Sequence, residues 1–130
     1  MPLPPTRADA LTGNALSVVD YRSVSQSTDP ADAAGVIVAT FDPVPPGLIW
    51  LVERMTVTTT SAPPTIAMVY AGAASSSNLV DGSSSGNLDT ADEASPILIE
   101  SNTSLTVVWT GAAAGAVGTC RVQYQLVQRG

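Results

Sequence analysis

The chain has no lysine and no histidine, and only one cysteine in 130 residues. These absences exclude most nucleophile–base pairs, Cys/His zinc sites and Schiff-base chemistry. They also exclude an internal disulfide. Aromatic residues make up 5% and charged residues 12%. The charged share is about half that of an ordinary soluble domain. Much of the 45% hydrophobic content is alanine, which buries little area, so the core is thin for the length. The cations are Arg7, Arg22, Arg54, Arg121 and Arg129, scattered through a chain of net charge −6. A phosphate backbone needs clustered basic residues, so nucleic acid is not an expected partner. No apolar run approaches the ~18 residues of a membrane span. The first residues, MPLPPTRADALTG, lack a basic start and an apolar stretch, so no ordinary export signal is expected and assembly is assigned to the cytoplasm. Arginine without lysine, with abundant alanine and glycine, points to a gene of high GC content.

What is present reads as strand. Residues 35–41 (GVIVATF), 48–60, 65–71 (TIAMVYA), 95–101 (SPILIES), 104–111 (SLTVVWTG) and 119–128 (TCRVQYQLVQ) are rich in β-branched and aromatic residues. VPPG, SAPP and Asn102-Thr103 punctuate them as turns. In the last segment Cys120, Val122, Tyr124 and Leu126 alternate with polar residues. Leu105, Val107 and Trp109 do the same. One-sided alternation belongs to antiparallel sheets with one buried face. The predicted fold is all-β: an antiparallel β-sandwich of jelly-roll type over residues 35–130, preceded by an extended N-terminal arm over 1–34. Within the arm, ALSVVDY is suited to pair with a sheet edge of its own subunit or a neighbour, through Leu16, Val18 and Tyr21. A disordered tail is the alternative. Cys120 reads as a small buried hydrophobe.

The most apolar stretch, PGLIWLVERMTVTTT (46–60), carries an acid and a base at its centre. On a regular strand Glu53 shares a face with Ile49, Leu51, Met55 and Val57. Arg54 then lies with Trp50, Val52, Thr56 and Thr58. The first face is the more apolar and is expected to be the core. Trp50, Val52 and Arg54 are then expected at a subunit interface, and Glu53 needs a partner, for which Arg121 is the best placed cation. Arg54 is expected to meet backbone carbonyls or a carboxylate such as Glu100 or Asp42. A β-bulge at Glu53, turning both charges outward, is the competing reading.

Residues 72–94 form the longest insertion, rich in serine and glycine, with Asp81, Asp89, Asp92 and Glu93. Carboxylates of this kind suit Ca²⁺, but DGSSSGNLDTAD does not match an EF-hand loop. A contact surface at the sandwich tip and a plain solvated loop remain open. Glu53 and Glu100 are the carboxylates a glycosidase would need, but the only sugar platform is Trp50, Trp109 and three tyrosines. No glycine loop precedes a helix. Neither catalytic residues nor a cofactor nor a metal is expected.

The segments PPGLIWLVERMTVTTT, AMVYAGAASSSNLVDGSSSGNLDTADEASPILI and LTVVWTGAAAGAVGTCRVQYQLV together resemble small virion structural proteins of tailed phages that infect actinobacteria. The resemblance covers residues 41–128. It implies a virion-located jelly-roll or β-sandwich subunit, assembled in the host cytoplasm. Such a subunit decorates capsomer junctions as a homotrimer bound to the major capsid protein, or serves as a minor tail or fibre component. A carbohydrate-binding host-recognition module is the alternative from a different class. Exposed Trp50 or Trp109 lining a groove would favour it, and burial of both would favour decoration.

Overall fold

The structure, a computed structural model, describes residues 16–60, 65–90 and 97–129. Nine strands form two antiparallel sheets that pack face to face. The first sheet runs β1 (Leu16–Ser27), β9 (Gly118–Arg129), β3 (Leu48–Thr59), with β6 (Leu88–Asp89) and β7 (Ile97–Ile99) both pairing to the far side of β3. The second runs β2 (Ile37–Thr40), β8 (Leu105–Thr110), β4 (Ile66–Ala71), β5 (Leu79–Ser83). All six strands expected from β-branched runs are present. β5 and β6 lie within the stretch expected to be loop.

Leu16–Ser27, read from the sequence as part of an arm, is the outermost strand of the first sheet. It pairs with β9 from Leu16↔Arg129 to Ser27↔Thr119. Residues 1–15, the rest of that expected arm, lie outside the described residues.

The core lies between the sheets. Met55, Val57, Ala67, Val69, Ile99, Leu105, Val107, Trp109, Cys120 and Val122 are fully buried there. At one side Trp50 stacks on Tyr124 with ring centroids 4.1 Å apart, and Phe41 meets Trp50 edge-on at 6.2 Å. Such offset and edge contacts add to area burial, which matters in a chain so poor in aromatics. At the other side Trp109 donates its indole N–H to the Gly86 carbonyl at 3.0 Å. Gly86 takes φ +77°, and a Cβ there would meet Thr59 Cγ2 at 2.7 Å. This buried hydrogen bond ties the serine-rich insertion to the core.

Register along β3 departs from a simple alternation. Val52 pairs with Tyr124, but Arg54 pairs with Gln123, so Glu53 is one residue too many. This β-bulge swaps the parity of everything beyond it. Trp50 and Val52 face the core before it, and Met55 and Val57 face the core after it. Glu53 and Arg54 both turn out to solvent.

Candidate interaction surface

The two sheets present very different outer faces. Strands β2, β4 and β8 contain no charged residue. Ile37, Ala39, Ala67, Val69, Leu105, Val107 and Trp109 point into the core. Alternation therefore directs Val38, Thr40, Ile66, Met68, Tyr70, Thr106, Val108 and Thr110 outward. One row across the sheet reads Val38–Val108–Met68–Gly82 in register. Val38 is 49% exposed, Ile66 41% and Met68 38%, and Val36 just before β2 is exposed too. A contiguous apolar face of this kind marks an interaction site more often than free surface.

The outer face of the first sheet is polar beyond the bulge, whereas before it Ile49, Leu51 and Val127 point to that side, with Ile49 and Val127 2% exposed. Gln125 donates to Glu53. Arg121 Nε donates to Ser23 Oγ at 3.1 Å. Arg54 makes a two-pronged contact with Asp89, at 3.2 and 2.9 Å. Ser27 and Thr119 share a hydroxyl contact at 3.2 Å. These polar side chains find their partners within the subunit.

The expected site residues fall as follows. Trp50 and Val52 are 6% and 2% exposed in the subunit's own core, so the assignment of both to a subunit interface is corrected. The bulge is the physical reason. The expected ion pair Glu53–Arg121 does not form; each group bonds an uncharged side chain instead, because both are at the surface. Arg54 meets a carboxylate, as expected, but the one it reaches is Asp89, across the β3–β6 pairing, rather than the named candidates Glu100 and Asp42. Val18 and Tyr21 are exposed, at 48% and 68%, on β1. Leu16 opens that strand. Asp81 lies on β5 opposite the buried Val69 and accepts the Gly82 N–H at 2.8 Å; its Oδ2 is buried with no hydrogen-bond partner. Asp92 lies outside the described residues. The residues missed were Val36, Val38, Ile66, Met68 and Val108. Their signal was available: GVIVATF and TIAMVYA are apolar at both parities, as two-sided burial requires.

Among the described residues, no group of three His, Cys, Asp or Glu could hold a metal ion. No helix of the described residues is long and apolar enough to cross a membrane. A concavity of about 680 Å³ opens where the ends of β2 and β4 meet the β7–β8 turn. Thr40, Asn78, Glu100, Asn102 and Thr106 line it, and no aromatic ring does. Its turn is shaped by Asn102 at φ +62°, whose N–H bonds Val44 O at 2.7 Å. Cys120 is buried in the core, and that burial pushes its thiol up to about 12.

No known protein-family model matches the chain, and no curated protein matches it.

Proposed function

We propose that this chain is a non-enzymatic structural subunit of a virion, a decoration protein that binds the phage head and stabilises it. The observation that carries the reading is the charge-free sheet β2–β8–β4, with Val38, Val108, Met68 and Ile66 turned to the outside. A chain of net charge −6 that keeps three adjacent strands free of charge, and sets the one charge of the fourth, Asp81, opposite the buried Val69, is built to have that face covered. The cover we assign is protein: the major capsid protein below, and further copies of this chain grouped as a homotrimer around threefold junctions.

Strand order supports a jelly roll. The pairs β1–β9, β2–β8, β3 with β6 and β7, and β4–β5 are nested like the two legs of one long hairpin. Rolling that hairpin up adds the contacts β3–β9 and β4–β8. Viral capsid and lectin domains both use such rolls, so the fold does not choose between decoration and sugar binding. The tryptophans favour decoration. Trp50 and Trp109 are buried in the subunit's own core and offer no ring for a sugar to stack on.

The test is immunogold labelling and quantitative mass spectrometry of purified virions of the phage that encodes the chain. We expect label over the head and a copy number in proportion to the capsid protein. Label confined to the tail would make the chain a minor tail or fibre component. Absence from the particle would overturn the virion reading. In a binding assay on particles, Val38→Asp with Met68→Asp should lose the head while the fold is kept.

A further inference from the structure

We infer that the free edge of β1 pairs antiparallel with β1 of a second copy of this chain, across a twofold axis at Tyr21. This is distinct from the apolar face and does not depend on where the chain acts. Sheet edges are templates for another strand unless something blocks them. The other edges here are blocked. β2 is four residues long, and β6 and β7 are two and three. β5 has a register break between Val69 and Tyr70 and turns Asp81 inward beside Val69. An inward charge on an edge strand deters pairing. β1 is twelve residues long with neither proline nor lysine. Its register shift lies near its start, between Val18 and Asp20, and leaves residues 20–27 in unbroken register. Its charges Asp20 and Arg22, opposite Leu126 and Tyr124, are half exposed and bonded to each other. Among the described residues nothing pairs with its outer side.

Backbone phase and charge select one register. Thr28 donates its N–H to Gly118 O, next to the pair Ser27↔Thr119. Hydrogen bonding alternates along an antiparallel strand, so Tyr21, Ser23 and Ser25 turn their N–H and C=O groups away from β9. The Tyr21 N–H is held at present by the Asp20 carboxylate, at 2.8 Å, and Asp20 also accepts from Arg22 Nε at 3.0 Å. Centring the pair on Tyr21 lets the two Tyr21 residues exchange both backbone bonds. It also sets Asp20 opposite Arg22 of the second copy, and Arg22 opposite Asp20, in the closely spaced non-hydrogen-bonded positions. Centring on Asp20 or on Arg22 sets like charges against each other. Centring on Ser23 leaves both charges facing neutral residues. The edge brings no net charge to the contact, so the −6 of the chain does not oppose it locally. Val18 and Tyr21, about half and two-thirds exposed, gain cover.

Sedimentation equilibrium of the full chain at micromolar concentration tests this. An even number of subunits is expected. Asp20→Arg should halve the assembly mass, and Asp20→Arg with Arg22→Asp should restore it, because the reversed pair is again complementary. Tyr21→Pro, which removes the outward N–H and its bond to the Asp20 carboxylate but no bond to β9, should also halve the mass, with circular dichroism unchanged. A monomer or a trimer in solution overturns the pairing while leaving the virion proposal standing. So does a mass indifferent to Asp20→Arg, which would place all self-association on the apolar face. Pairing that occurs only after residues 1–15 are removed also overturns it, since the chain would then cover its own edge.

Discussion

Trp109 lies against the bare Cα of Gly118: a Cβ built on Gly118 would come within 2.8 Å of three atoms of the indole. Glycine is needed there for room, since φ is unexceptional at that position. Gly118→Ala should therefore cost about 1–3 kcal/mol, the range for overpacking a tight core. Urea unfolding followed by tryptophan fluorescence reads the loss. A neutral substitution would mean that the indole moves freely, against its hydrogen bond to Gly86.

Of the contacts between the insertion and β3, those of Thr90 and Asp89 should differ in worth. Thr90 is 3% exposed, its hydroxyl accepts the Met55 N–H at 2.8 Å, and its own N–H bonds Met55 O. Thr90→Val strands a buried donor and should cost about 1–3 kcal/mol. Asp89 pairs with Arg54 in the open, with side chains 46% and 50% exposed. Asp89→Asn should cost less than about 1 kcal/mol, and that cost should shrink in salt. Comparing the two by denaturant midpoint settles the order.

Glu53 and Arg121 should be energetically independent. Each is exposed and bonded elsewhere. Glu53→Ala should stay within about 0.5 kcal/mol of the parent. A double-mutant cycle with Arg121→Ala should return a coupling near zero. A coupling above about 1 kcal/mol would restore the direct pair.

Cys120 should be unreactive in the native protein. Burial raises its thiol from 9.0 to about 12. Ellman's reagent at neutral pH should leave it intact until denaturant is added. The sign of the linkage follows. Above pH 9 the unfolded chain releases the thiol proton while the folded chain keeps it, so stability falls as pH rises toward 12. Melting temperatures from pH 8 upward should decline for the parent and decline less for Cys120→Val.

Strand content was legible where side chains carried it. β3, β8 and β9 follow their β-branched runs. β5 (LVDGS) and β6 (LD) were not legible, because serine, glycine and aspartate have low strand propensity. Their partners β4 and β3 hold them in place. β1 was read as an arm for a similar reason: VVDYRSVSQS has few residues to bury, and its order comes from backbone pairing with β9. The interface residues Trp50 and Val52 were misplaced by a single inserted residue. Period-two reasoning cannot locate a bulge, although adjacent charges within an apolar strand were a fair sign that one was present.

The nested strand pairing also sets a timetable for synthesis. Only β4 and β5 are close in sequence, and each pair outside them spans more chain, up to Leu16 with Arg129. β9 lies between β1 and β3 and bonds both. A nascent chain that has not yet delivered residues 118–129 therefore has, of the first sheet, only β3 with its short partners β6 and β7. β1, made first, waits unpaired for almost the whole of translation. An interrupted product cannot close its sandwich.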